Sequence, residues 1–540
     1  MLRSFTGVFV MLSATHALAV RPTLTGTELT HPSSDGHVLI HYTLGGLDAL
    51  PDTQDTQPQN GIPDAIDDVE TGMHRVWEEF VQVDGWPAPR VDQGEGGDDR
   101  LDVYLRVIDA NGYAHYEPLP GSGTTCYMEL AHDGRNLGPL TFQSVAGHEL
   151  HHCLQAAQTT RVDSWIFEAT STWVQYSLFT GAVVVDVARQ VLWQTRLSSP
   201  QLALDATGNR YEYAGMVWIQ FLLDRGRVPR TQLLGLWQDM AAAGDWEQGH
   251  QTAMARFNLP SLEDAVAEFA EWNLFACLQD DGFHYAPNGL PCEFDTGVPT
   301  QRLYELPADV VTVSAAHLGA VYVELEPNCA SQDAVVTVTG SGPFVARAVE
   351  VRANGGALAY TRFSEGDAAT LELPGWNDHR RTVVAIVNRS AVPQTFQVSA
   401  QEMGTYVPQP SVDGALSLLA GAPRTTLRAG EQVTLTLTGR FNACPDDADI
   451  ASRADWVSTN PGVATVQAGV VTAVAAGATE IYARNSTVES ARLAFTVEEE
   501  PQARGCACAG DGQLGPWGRS GLMLLFCVVA AVRRRTYHRN

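Results

Sequence analysis

Val145-Ala-Gly-His148-Glu149-Leu-His151-His152-Cys153-Leu-Gln155 is the stretch on which the reading of the chain turns. On a helix, residues i and i+4 share a face, so His148 and His152 can grip one metal ion while Glu149 addresses water held there. Val145, Leu150 and Leu154 interleave with these polar residues, as expected of a buried helix. His151, three residues after His148, competes as a partner, but its expected place is beside the site. A catalytic zinc takes three protein ligands and keeps a position open. A third imidazole six residues beyond His152 would be one solution, and Gln158 stands there. The next candidate helix, Trp165-Ile-Phe-Glu168-Ala-Thr-Ser-Thr-Trp173, offers Glu168 in an apolar setting where an unpaired carboxylate is expensive. The competing reading of Glu168 is an ion pair with Arg161 or an exposed face.

Outward from this segment, helical patterns recur at 142–158, 165–179, 213–225, 232–243 and 262–275. A donor to a developing oxyanion is expected near the metal. Tyr176, Tyr211 and Tyr213 are candidates, with Tyr213 favoured. Thr125-Cys-Tyr-Met-Glu129 reads as an edge strand able to pair with an extended peptide, and Asp98-Asp99-Arg-Leu-Asp102 as a turn into a strand. In the loop from Asp52, oxygens of Asp52, Asp55, Asn60 and Asp64 around Gly61 suit a hard cation, so structural calcium is an expectation there. Beyond residue 300 the chain turns rich in Val, Thr, Ala and Gly with period-two alternation, the pattern of all-β modules.

The expected architecture is multidomain: an α+β domain at 20–300, which the resemblances given below make a zincin-type metalloprotease, a β-sandwich at 301–402 and a second sandwich at 403–500, which they make immunoglobulin-like. For 540 residues, domains of about 150 each are reasonable. Thirty-four basic residues against 62 acidic ones leave a net charge of −28, which disfavours nucleic acid as a partner. Every basic residue is Arg. With no Lys, a P-loop, a pyridoxal Schiff base and a kinase are excluded. Residues 1–19 read as a signal peptide, with Arg3, an apolar run and Ala17-Leu18-Ala19 before the cleavage point. Export permits disulfides. Cys277–Cys292 is the favoured pair, with Cys126–Cys153 behind it. A linker at 501–513 carries Cys506-Ala-Cys508. The segment 514–540 then holds a twelve-residue apolar run, Gly521 to Val532, and Arg533-Arg534-Arg535. Twelve residues are short for a membrane span of about twenty.

Three resemblances add to this reading. His-Glu-x-x-His-x-x-Gln followed by Trp-x-x-Glu-Ala-Thr-x-Thr-Trp resembles a group of gluzincin-like zinc metalloproteases of myxobacteria and relatives. The likeness spans 40–285 and includes Asn60-Gly61-Ile62-Pro63-Asp64, Arg100-Leu-Asp102-Val-Tyr104 and Phe269-Ala-Glu-Trp272-Asn273. It implies His148, His152 and Glu168 as zinc ligands and Glu149 as general base. It departs from the thermolysin pattern at Thr172, where an Asp would orient a ligand histidine. Leu427-Arg-Ala-Gly430-Glu-Gln-Val433, Trp456-Val-Ser-Thr-Asn460-Pro461 and Gly469-Val-Val471-Thr-Ala473 resemble a group 2 bacterial immunoglobulin-like domain. Cys-x-Cys, apolar helix and Arg cluster resemble the myxobacterial C-terminal sorting signal, which implies lipidation at Cys506 and outer-membrane attachment. Together these imply a surface-displayed or secreted zinc endopeptidase with a protein or peptide substrate. The alternative is an inactive surface adhesin on the same scaffold.

Overall fold

A computed structural model describes residues 21–119, 123–181, 183–276, 284–285, 297–303, 306, 308, 310–325, 333–351, 362–374, 381–403, 417–440, 450–484 and 488–499. The expected signal peptide, Cys277–Cys292 and the C-terminal segment with Cys506 lie outside these residues. Five strands open the fold: β1 (Glu28–Pro32), β2 (Val38–Thr43), β3 (Leu101–Arg106), β4 (Gly112–Pro118) and β5 (Thr124–Ala131). They form one sheet in the order β1-β2-β3-β5-β4, parallel through β2, β3 and β5 and antiparallel at both edges. The expected edge strand at Thr125–Glu129 is therefore corrected. It lies in β5, inside the sheet, and β4 is the edge. β5 is buried over nearly its whole length, as two-sided burial requires, whereas β4 is half exposed.

Nine α-helices of the described residues follow or interleave with this sheet: α1 (Asp64–Val76), α2 (Pro139–Ala156), α3 (Ser164–Leu178), α4 (Val183–Ser198), α5 (Tyr211–Ala214), α6 (Met216–Gly226), α7 (Gln232–Ala243), α8 (Trp246–Ala253) and α9 (Leu262–Trp272). α2 begins with Pro139 in its first turn, where a missing N–H costs nothing. α1 crosses α2 in backbone contact: a Cβ on Gly72 would stand 2.2 Å from the Gln143 carbonyl oxygen. A disulfide between Cys126 and Cys153, 27 residues apart, ties β5 to α2. Loop entropy alone makes such a link worth about 3–4 kcal/mol.

The next unit is one sheet folded into two layers. Its strands are β6 (Thr300–Leu303), β7 (Val311–Ala315), β8 (Ala320–Leu325), β9 (Asp333–Val351), β10 (Arg362–Pro374), β11 (Arg381–Asn388) and β12 (Gln394–Met403). β9 pairs with β12 through Thr339 and with β11 from Phe344 onward, so it changes layers across Gly340–Pro343. Between the layers lie Val336, Val338, Phe344, Ala346, Val384, Ile386, Phe396 and Val398. The alternate residues Tyr322, Val345, Val349, Val383, Ala385 and Val387 point the other way, into the core of the helical body. This period-two division buries the β8-β11-β9 layer on both faces and joins the unit to α9. The Tyr322 hydroxyl donates to the Ala270 carbonyl at 2.9 Å across that junction. Residues 417–499 build further sheets around their own cores. One has four strands (Thr426–Arg428, Leu493–Glu498, Gly477–Arg484, Asp455–Ser458) and another three (Gln432–Thr434, Val470–Ala473, Ala464–Gln467). The chain is a multidomain α+β protein.

One buried group in the helical body sets an acid limit on stability. His250 on α8 is fully buried, with Trp165, Trp218 and Trp246 around it and Nδ1 donating to the Trp246 carbonyl at 2.8 Å. Burial pulls its pKa down to about 4, against the weaker pull of that carbonyl and Asp245. The unfolded residue takes its proton near 6.5. Between those values only the unfolded state is protonated, so stability falls as pH drops from 6.5 to 4, by about 3 kcal/mol for this group. Urea unfolding of the parent and of His250→Asn should show their free-energy difference changing across this window and flat above it.

Candidate metal centre

α2 supplies His148, Glu149 and His152 from successive turns, and α3 packs against it to bring Glu168 alongside. Glu168 Oε2 lies 3.2 Å from His148 Nε2 and 3.5 Å from His152 Nε2. The three ligand atoms all fall within 4.8 Å of one another, and these residues could hold a metal ion. The two imidazoles meet edge to face with centroids 4.7 Å apart. All three side chains are largely buried, and Glu168 has these two rings as its partners, not Arg161. Burial alone would raise the Glu168 pKa, but the facing histidines, His152 first, bring it down to about 2. Burial likewise depresses His152, and Glu168 reverses this and lifts it to about 9. Both shifts have one cause: the carboxylate stabilises positive charge at the imidazoles.

A buried network orients His152. Its Nδ1 stands 2.8 Å from Gln155 Oε1, while Gln155 Nε2 donates to the Phe167 carbonyl at 3.0 Å. The amide is thereby fixed with its oxygen toward the ring, so Nδ1–H donates and Nε2 is the atom turned toward Glu168, available to a metal once it gives up its proton. Ser171 Oγ lies 3.1 Å from the same Nδ1 and 2.9 Å from His151 Nδ1. His151 is fully buried against Phe80 and Trp86 and supports the site without joining it. His148 Nδ1 and Thr172 Oγ1 are buried without a hydrogen-bond partner among the described residues, so the Thr172 hydroxyl does not replace the orienting Asp. The contact of Gln155 with His152 is one that the sequence pattern does not announce. If the site holds a metal, replacement of Gln155 by Leu should weaken metal binding about 10–100-fold. Gln155→Glu, which keeps the acceptor, should hold the metal. Chelator competition on both variants measures the difference.

Glu149 is buried, and burial raises its pKa against the opposing pull of His148 and His152. It leans on Gly112 of β4, where a Cβ would stand 2.6 Å from Glu149 Cγ. Glycine at that position keeps the edge strand close to the acid. Of the three candidate tyrosines only Tyr213 reaches the site, its ring 6.3 Å from that of His148. Burial and then Glu168 and Glu149 push its phenol far above the usual range, so the hydroxyl keeps its proton. Tyr211 donates to the Ser199 carbonyl, and Tyr176 sits by Arg189 and Arg210. Tyr116 on β4 was not anticipated. Its ring lies 6.0 Å from that of Phe167.

The expected calcium ligands have protein partners. Asp52 and Asp64 meet Arg135 at 3.1 and 3.3 Å, and Asp64 also accepts from the Thr56 amide at 2.7 Å. Asp55 accepts from the amides of Asn60 and Gly61, and the Asn60 side chain donates to Asp67. The Arg135 guanidinium thus supplies positive charge to this loop. Among the described residues no helix is long and apolar enough to cross a membrane. No protein-family model matches the chain, and no curated protein matches it. The chemistry is carried by the geometry of the site.

Proposed function

We propose that the chain is a zinc-dependent endopeptidase on a zincin-type scaffold, secreted or displayed at the cell surface. The carrying observation is the convergence of His148, His152 and Glu168 with Glu149 next to them on α2. Two imidazole nitrogens and one carboxylate oxygen are a donor set suited to zinc. Zinc held there would supply Lewis acidity to a peptide carbonyl and to water. Glu149 takes the water proton and returns it to the leaving amine. Tyr213 donates its hydroxyl hydrogen where oxyanion charge develops. β4, exposed along one edge and touching Glu149 at Gly112, suits an extended peptide strand. The purified ectodomain should hold one zinc per chain and cleave a peptide library. Absence of zinc would instead favour the inactive adhesin.

For location, the proposal joins the leader, the immunoglobulin-like module at 403–500 and the Cys506 sorting signal to an oxidising compartment. The Cys126–Cys153 disulfide fits that compartment. Mass spectrometry of the surface-attached protein should find it without its Arg533-Arg534-Arg535 tail. An intact C-terminus through Asn540 would refute the sorting reading.

A further inference from the structure

A cavity of about 10 Å³ lies where the helical body meets the folded sheet, lined by Arg196, Val266, Phe269, Asn273, Leu318 and Tyr322 among others. It has room for a single water-sized guest. Arg196, on α4, is only 3 % exposed. Its Nη1 makes one long bond, 3.5 Å, to the Leu204 carbonyl, and its guanidinium lies 4.8 and 5.4 Å from the ring centres of Tyr211 and Phe269. The other deeply placed guanidinium of this body, Arg21, is surrounded by Asp92, Asp102 and Glu117. Arg196 has no carboxylate in ion-pair reach among the described residues.

Of the remaining polar lining, Asn273 is the residue with donors to offer. The Asn273 side-chain oxygen accepts from the Tyr285 hydroxyl at 2.7 Å, which leaves its amide hydrogens for other partners, Tyr322 among them. The Tyr322 hydroxyl hydrogen is committed to the Ala270 carbonyl. A permanent cation in an apolar junction is costly without a counter-charge, and aromatic faces offset only part of that cost. The cavity, a guanidinium with no carboxylate partner and the Asn273 amide coincide.

We propose that this cavity binds one small monovalent anion, chloride as the common case, between Arg196 and the Asn273 amide. Oxyanions such as sulfate are too large for a one-water space. Because α4, α9 and β8 all contribute to the wall, the ion fastens the folded sheet to the helical body. It is a structural site, independent of the metal centre.

Thermal unfolding of the full ectodomain in sodium chloride, sodium bromide and sodium gluconate at equal ionic strength tests this. The parent midpoint should be about 3 °C higher in either halide than in gluconate, as for a ligand present well above its dissociation constant. Asn273→Asp places a carboxylate beside Arg196. That variant should unfold at one temperature in all three salts, near the parent's chloride value. Crystals grown in bromide should give an anomalous peak beside Arg196. Equal parent midpoints in halide and gluconate would overturn the proposal. So would a full halide response in Asn273→Asp, which puts the effect elsewhere, or the absence of the bromide peak.

Discussion

Glu149→Gln is expected to lose turnover by about 10²–10⁴-fold while zinc stays bound. The substitution keeps the shape of a side chain wedged between α2 and Gly112, where a Cβ would already collide at 2.6 Å. It removes only the ability to take a proton. Glu149 is not among the three groups that converge as ligands, so metal content should match the parent. His152→Ala and Glu168→Ala should behave in the opposite way. Each deletes a group that would face the proposed ion directly, so zinc affinity should fall by more than the about 10–100-fold expected for an orienting partner such as Gln155. Peptide hydrolysis and zinc analysis on the same preparations separate base from ligand. Full activity in Glu149→Gln, or undiminished affinity in Glu168→Ala, would remove the roles assigned here.

These residues were legible because a helix imposes its geometry locally. Spacing i to i+4 puts His148 and His152 on one face whatever surrounds them, and α2 and α3 form where apolar periodicity places them. Glu168 was legible from its cost: a carboxylate between Phe167 and Ala169 needs partners. What failed to be legible depends on distant partners. β5 was read as an edge because β4, which covers it, is a short polar and aromatic segment whose pairing no local pattern announces. The ion pairing of the acidic loop was not legible because Arg135, which meets Asp52, is 83 residues away. The second contact of the 301–402 sandwich was not legible because one strand of alternating Val and Ala can face two cores at once, as Val383 and Val384 do. Gln155 stood in plain view after His152, but its orientation is set by the Phe167 carbonyl on the next helix.

Arg21→Ala should destabilise the protein by about 3–5 kcal/mol, because it strips the counter-charge from buried carboxylates. The Arg21 guanidinium meets Asp92 at 2.6 Å, and Asp102 and Glu117 at 3.1 Å each, and lies 4.6 Å over the Tyr127 ring. Asp102 is fully buried, and His41 covers its other oxygen at 2.9 Å while reaching Glu28 at 2.7 Å. Arg21 and His41 thus face four carboxylates under the first sheet. Burial already raises Asp92 to about 6, with Arg21 pulling it down and Asp102 pushing it up. Loss of the guanidinium leaves the last push unopposed, and Asp92 then binds its proton more tightly in the folded state. Such a group favours folding when protonated and opposes it when ionised, so the deficit should be largest above pH 6 and shrink as pH falls. Arg21→Lys should recover only part, since a point charge cannot bridge three carboxylates as a planar fork does. Urea unfolding at pH 7.5 and pH 5 reads both effects. A deficit below about 1 kcal/mol at both pH values would mark Arg21 as an ordinary surface pair, whatever its distances. The expected cleavage after Ala19 leaves Arg21 second in the mature chain, so cleavage two residues later should reproduce the Arg21→Ala deficit.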